Sequence, residues 1–120
     1  MVCYYLFPNA YRSDKPFIIS ETGAGGIVGM HSNNQSRWSE EYQVTVDALD
    51  AKTAMNDPNI SGLALWQFCD IKVDQSNTST NRPGGINNKG VVSQWREPKP
   101  AAAAVAEAYA KASELAMPLI

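Results

Sequence analysis

The chain of 120 residues has no excess of basic charge, no long apolar run and only two cysteines. Its formal net charge of -2 leaves no basic patch, which argues against a nucleic-acid partner. No run of about 18 apolar residues occurs, so we expect no membrane-spanning helix and no membrane partner. Cys3 and Cys69 are too far apart for a metal-binding pattern, and we expect buried thiols rather than a disulfide. The compartment is therefore left open by the sequence, with the cytoplasm favoured.

Two further motifs are missing. Gly23, Gly25, Gly26 and Gly29 lie close together, but no lysine follows them at the spacing of a phosphate-binding loop. The only histidine, His31, lies in a polar loop with no partner that the sequence reveals, so a binding contact or solvent exposure is favoured over catalysis. We expect no metal site and no organic cofactor.

What the chain does contain is an alternation of apolar strands and helices. Ser39 is a plausible N-cap for a helix, and Pro100 suits the first position of another. The expected elements are a strand at 17–20, a helix from Ser39 to the stop at 56–59, a strand at 61–68, a long irregular loop at 70–98 and a helix at 101–116. Two consecutive βα units favour an α/β fold with a parallel sheet.

The length sets a limit on this fold. Two strands cannot bury both faces of a parallel sheet, and a complete (β/α)8 (TIM) barrel takes about 250 residues. The sequence therefore predicts an incomplete piece of such a barrel. We divide it into a lead-in at 1–14 and a barrel portion at 15–120, with the rest supplied by a missing N-terminal portion, a partner subunit or other copies of the chain.

The first helix is predicted to bury one face. Tyr42, Val46, Leu49 and Thr53 follow one another at spacings of four, three and four residues, which places them on the same side. Glu40 and Glu41 fall in the first turn, where the helix dipole favours anions, and are interpreted as capping groups.

Glu21 is the strongest candidate for chemistry. It follows the predicted strand Phe17 to Ser20 and lies two residues before Gly23, and barrels present catalytic side chains at the carboxyl ends of such strands. A carboxylate in that position can attack the anomeric carbon of a sugar. Local pattern alone leaves a helix cap or a structural ion pair as alternatives.

The second strand carries Trp66 and Phe68 near its end, with Asp70 just beyond. A sugar ring could stack on Trp66, although core packing is the alternative that pattern alone favours. Asp70 is interpreted as a turn cap. In the long loop, Arg82, Asn87 and Lys89 could converge on a ligand carboxylate, and a solvated loop is the alternative.

Together these residues resemble glycoside hydrolase family 2, specifically the C-terminal part of the catalytic barrel in β-glucuronidases. The resemblance extends from about Lys15 to Lys111. It rests on five segments that occur in the same order as the family's motifs: 17–23 (FIISETG), 29–32 (GMHS), 38–43 (WSEEYQ), 66–70 (WQFCD) and 87–90 (NNKG).

The resemblance implies the function and the site. The fold would be strands seven and eight of a TIM barrel, and the substrate a glucuronide or related carbohydrate. Glu21 would be the nucleophile of a retaining hydrolase. Asn87 and Lys89 would bind the glucuronate carboxylate with help from Arg82, and Trp66 would form the pocket floor.

Two departures from the family stand out. Many relatives have an aromatic residue after the nucleophile, where this chain has Thr22. The family's general acid/base lies in an Asn-Glu pair, which this chain lacks. The alternatives are therefore a β-galactosidase-like hydrolase, a truncated chain or subunit that needs an N-terminal partner, and a carbohydrate-binding remnant without turnover.

Overall fold

The computed structural model describes residues 15–73 and 82–116. The lead-in predicted at 1–14, including Cys3, lies outside the described residues. The described elements are β1 (Phe17–Thr22), α1 (Glu40–Asn56), β2 (Ile60–Leu65), β3 (Ile71–Lys72), a 3-10 turn (Pro83–Gly85), β4 (Ile86–Asn87) and α2 (Pro100–Ala116).

β1 and β2 form a parallel pair, as the strand–helix–strand order predicts. Consecutive parallel strands need a crossover, which here contains α1. The register is irregular between Ile19 and Thr22, at the two residues that include Glu21. β3 and β4 form a separate antiparallel pair within the long loop.

One face of the parallel pair is covered. Ile19 is buried, whereas the neighbouring Ile18 is 61% exposed. Apolar residues on both faces of a strand are typical of a parallel sheet covered on both sides. The exposure of Ile18 agrees with the expectation that two strands cannot bury both faces by themselves. α1 packs on β2 and on α2.

Small side chains allow the two helices to approach each other. The buried apolar residues of this layer are Ala51, Ala54, Ala101, Val105 and Ala108. The predicted helix boundaries are confirmed: the Ser39 hydroxyl accepts a hydrogen bond from the Tyr42 amide, and α2 begins at Pro100. In the part of the chain that the structure describes, no helix is long and apolar enough to cross a membrane.

The predicted apolar face of α1 was wrong. Leu49 is 61% exposed and Thr53 is also exposed, while Tyr42 and Val46 are half-buried. The helix instead buries a face of mixed character, formed by Glu40, Gln43, Asp47, Ala51 and Ala54. Periodicity missed this face because its first half serves hydrogen bonding rather than apolar packing.

Candidate active site

Three backbone segments meet where the parallel strands end. We call them the β1 loop (residues 22–26), the β2 exit (residues 66–70) and the NNKG segment (residues 87–90). The Trp66 amide donates to the Thr22 carbonyl at 2.6 Å, and the Gln67 amide donates to the Lys89 carbonyl at 3.0 Å. The Gly26 amide donates to the Asn88 carbonyl at 3.0 Å. The carboxyl ends of parallel strands are where barrel enzymes place their active sites.

Glu21 lies at this end of β1, and its carboxylate is solvent-exposed. Among the described residues, none of the side-chain hydrogen bonds or ion pairs engages that carboxylate. The irregular register around it is a feature often found beside active sites, where it redirects a side chain. Thr22, which departs from the family's aromatic residue, donates its hydroxyl to Asp50 of α1 at 2.6 Å.

Trp66 lies just past β2, not within it. The strand ends at Leu65, earlier than the predicted end at Phe68, and the Trp66–Gln67 peptide bond is cis. Trp66 is 43% exposed, so it is not a core side chain among the described residues. A side chain at Gly23 would place its Cβ 2.6 Å from the Trp66 carbonyl oxygen, and the Gly23 φ of 145° also requires glycine.

The predicted carboxylate-binding residues lie on the adjoining segment. Asn87 ends β4 and is buried, with its Oδ1 atom accepting a hydrogen bond from the Lys89 amide at 3.3 Å. Lys89 is half-buried. Arg82 immediately precedes the 3-10 turn. That turn contacts the NNKG segment through the Asn88 side-chain amide, which donates to the Pro83 carbonyl at 3.4 Å.

The β1 loop is held by the polar side of α1. Asp47 accepts a hydrogen bond from the Ala24 amide at 2.8 Å. The Gln43 side-chain amide donates to the Ala24 carbonyl at 3.1 Å and to the Gly90 carbonyl at 2.9 Å. Burial, with a smaller contribution from the nearby Asp50, raises the pKa of Asp47 to about 6 against the lowering effect of the Ala24 hydrogen bond. These contacts explain why α1 buries polar groups.

Asp70 is not the turn cap that its position predicted. It is 5% exposed and pairs with Lys99, which is 3% exposed, at 3.1 Å. Asp70 Oδ1 also accepts a hydrogen bond from the Gly90 amide at 2.7 Å. Burial raises the pKa of Asp70 and lowers that of Lys99, because removing both charges from water outweighs their attraction. Sequence reasoning missed Lys99, since no local pattern links residues 29 positions apart.

Glu40 and Glu41 bind the loop that precedes α1. Glu40 accepts a hydrogen bond from the Gly29 amide at 3.1 Å, and Glu41 accepts one from the Ser32 amide at 3.0 Å. His31 Nδ1 lies 2.8 Å from Glu41 and 3.7 Å from Glu40. His31 is therefore solvent-exposed, as favoured from the sequence, and it has a carboxylate partner, Glu41, that the sequence did not reveal.

The His31–Glu41 pair predicts a pH dependence. The hydrogen bond to Glu41 raises the pKa of His31 above 6.5, and the same bond lowers the pKa of Glu41 from 4.5 to about 2. The stabilisation from His31 is thus complete below 6.5 and lost as pH rises through its raised pKa; that from Glu41 is lost as pH falls towards 2.

We expect proton NMR titration of the single histidine to give a pKa above 6.5, and Glu41→Gln to return it towards that value. Added salt should reduce the difference, because the pair is exposed. An unchanged His31 pKa in Glu41→Gln would contradict this pairing.

Metal binding and the state of the cysteine can be assessed within residues 15–73 and 82–116. No group of three His, Cys, Asp or Glu side chains there could hold a metal ion. Cys69 is a free, half-buried thiol.

The family model described as "Glycosyl hydrolases family 2, TIM barrel domain" matches residues 4–113, and the chain belongs to this family. Dog β-glucuronidase is 38% identical over 111 residues, which cover 88% of this chain and 16% of that protein. The chain therefore spans about a sixth of the length of its curated relatives.

Solved structures agree with this assignment. A family 2 β-galacturonidase from Eisenbergiella tayi, with galacturonate bound, is 40% identical with a TM-score of 0.76, over 81% of this chain and 17% of that one. The β-D-glucuronidase for Dictyoglomus thermophilum is 34% identical with a TM-score of 0.71, over 81% and 16%. The fold is thus a part of a TIM barrel domain.

Proposed function

We propose that this chain forms the last two βα units, strands seven and eight, of a retaining β-glucuronidase barrel. The observation that carries the proposal is the meeting of the β1 loop, the β2 exit and the NNKG segment beside Glu21 at the carboxyl end of a parallel strand pair. On this proposal residues 15–120 are the barrel portion, and the rest of the barrel comes from a missing N-terminal portion or a partner subunit.

Glu21 is the nucleophile in this proposal. Its carboxylate attacks the anomeric carbon of a terminal β-D-glucuronic acid as the bond to the leaving oxygen breaks, giving a glycosyl ester on Glu21. A second carboxyl group, about 5–5.5 Å away in retaining enzymes, protonates the leaving oxygen and then deprotonates the attacking water. The chain has no Asn-Glu pair, and Glu40 and Glu41 bind the loop before α1, so we place that second group outside this chain.

The other site residues bind the sugar. Lys89 provides a positive charge and Asn87 an amide for the glucuronate carboxylate, and charge-assisted hydrogen bonds of this kind are the strong ones. Arg82 assists from the start of the same loop. The exposed Trp66 ring offers an apolar face to the sugar at the pocket floor.

A galacturonide is the second candidate substrate. The E. tayi relative, at 40% identity, is named a β-galacturonidase. Galacturonate and glucuronate both carry the carboxylate that Lys89 and Asn87 would bind, and they differ in the orientation of the hydroxyl at C4. The sequence alternatives of a β-galactosidase-like activity and of binding without turnover are outcomes of the test below.

The test uses a hybrid enzyme, in which residues 15–111 replace the matching segment of the D. thermophilum β-D-glucuronidase, so that the host supplies the rest of the barrel. We expect it to hydrolyse nitrophenyl β-D-glucuronide, and we measure the galacturonide and the galactoside beside it. A 2-deoxy-2-fluoro-β-D-glucuronyl fluoride should trap the ester on Glu21, and peptide mass spectrometry locates the label. The control is Glu97→Gln, which should still be labelled on Glu21.

The possible outcomes separate the alternatives. A label on another carboxylate would contradict the role of Glu21. A folded hybrid that binds glucuronate without turnover would support the binding remnant, and faster turnover of galacturonide would support the second candidate. Preference for the galactoside would contradict uronide recognition altogether.

A further inference from the structure

A single buried ammonium group connects all three segments of the candidate site. Lys99 Nζ donates to the Gly26 carbonyl of the β1 loop at 2.8 Å and to the Asn88 carbonyl of the NNKG segment at 3.0 Å. It also contacts both carboxylate oxygens of Asp70 in the β2 exit, at 3.1 and 3.2 Å. A lysine ammonium has three donors, and here three acceptor groups surround it.

The position of these contacts matters for sugar binding. Asn88 lies between Asn87 and Lys89, the two residues proposed to bind the sugar carboxylate, and Gly26 belongs to the loop that follows Glu21. The distance between the Lys89 and Glu21 backbones therefore depends partly on Lys99. The β1 loop has additional support from α1, through Asp47 and Gln43.

We infer that Lys99 is a positioning residue for uronate recognition: it fixes the NNKG segment against the β1 loop, so that Lys89 meets the sugar carboxylate while Glu21 reaches the anomeric carbon. This inference rests on the proposed function and deepens it. Lys99 itself is buried and touches protein groups only among the described residues, so it acts through Asn88 and Asp70.

Loss of Lys99 should therefore affect one end of the substrate more than the other. Both segments would keep other hydrogen bonds: the β1 loop those to Asp47 and Gln43, and the NNKG segment those to Gln67 and Gln43. The lost contacts differ in position, because Asn88 is adjacent to Asn87 and Lys89, whereas Gly26 is five residues away from Glu21. Recognition of the carboxylate would weaken, and attack by Glu21 on a sugar without a carboxylate would continue.

A single Lys99→Met substitution is unsuitable alone, because it leaves the buried Asp70 carboxylate without its counter-charge and destabilises the fold. The double variant Asp70→Asn/Lys99→Met removes both charges. The introduced amide oxygen can still accept the Gly90 hydrogen bond that Asp70 accepts now. Lys111→Met is the matched control, since Lys111 is an exposed lysine of α2 paired with Glu107.

The experiment measures kcat and KM of the hybrid enzyme and these variants on dinitrophenyl β-D-glucuronide and dinitrophenyl β-D-glucoside, which has a hydroxymethyl group in place of the carboxylate. For the double variant we expect a 10- to 100-fold lower kcat/KM on the glucuronide, mainly through KM, and less than a threefold change on the glucoside. Lys111→Met should match the unsubstituted hybrid on both substrates.

Equal losses on both substrates would overturn the inference, because a purely structural role lowers the active fraction without changing selectivity. Unchanged values on both would overturn it as well. An unsubstituted hybrid that folds but does not hydrolyse the glucuronide would instead refute the proposed function, and the inference with it.

Discussion

Glu21→Gln in the hybrid enzyme should lower kcat/KM for nitrophenyl β-D-glucuronide by about 10,000-fold or more, as removal of a covalent nucleophile does in other hydrolases. The substitution keeps the size of the side chain but replaces the attacking carboxylate with a neutral amide. Because Glu21 is exposed and makes none of the side-chain hydrogen bonds of the described residues, we expect the melting temperature to change little.

A second measurement tests from which side of the sugar the nucleophile attacks. With Glu21→Ala, sodium azide can enter the space of the missing carboxylate and attack the anomeric carbon from the same side. The expected product is the α-glucuronyl azide, with partial recovery of rate on the dinitrophenyl substrate, whose leaving group needs little acid assistance. Retained activity in Glu21→Gln, or a β-azide product, would contradict a retaining mechanism through Glu21.

Lys89→Met should change selectivity rather than abolish catalysis. We expect the kcat/KM of the hybrid for the glucuronide to fall by about 30-fold or more, since truncating one partner of a buried charge pair costs about 2–5 kcal/mol and 1.4 kcal/mol is tenfold. The glucoside has no carboxylate to bind, so its hydrolysis should be unchanged or faster. Steady-state kinetics on the two dinitrophenyl substrates measure the ratio.

The control for Lys89 is Lys52→Met, which removes the same charge from an exposed position of α1. It should leave the ratio of the two substrates as it is in the unsubstituted hybrid. Parallel losses on glucuronide and glucoside in Lys89→Met would mean that Lys89 supports the loop but does not bind the carboxylate.

Local signals in the sequence predicted the order and limits of the main elements. Ser39 and Pro100 mark helix starts because the preference of each residue depends only on the neighbouring backbone. The parallel pairing of β1 and β2 followed from the crossover between them. The end of β2 was predicted three residues late, since apolar residues continue to Phe68 after pairing with β1 has stopped.

Long-range polar contacts could not be predicted in this way. Asp47 and Gln43 are polar residues on a helix, and a periodicity argument assigns such residues to the solvent side. They are buried because the β1 loop presents backbone amides and carbonyls to them. Asp70 and Lys99 likewise find each other only after the long loop has folded back.

The candidate site was predicted with unequal success. A glutamate at a strand end is compatible with several roles, and family resemblance, rather than local pattern, singled out Glu21. The structure brings the segments of Glu21, Trp66 and Lys89 together, while the chemical roles of these side chains stay predictions. The buried contacts of Lys99 could not be predicted, because it precedes an alanine-rich helix and no residue near it in the sequence indicates a functional role.

α1 holds both the β1 loop and the residues that follow it, up to Met30, and this bears on how substrate range could be altered. Asp47, Gln43 and Glu40 bind mostly main-chain atoms of Ala24 and Gly29, so the hold on this loop is nearly independent of its side chains. Val28 and Met30 are exposed and can vary without breaking these bonds. A combinatorial library directed at such positions, with the three α1 residues kept, would vary the exposed side chains that follow Glu21 in the chain without removing the contacts that hold their backbone.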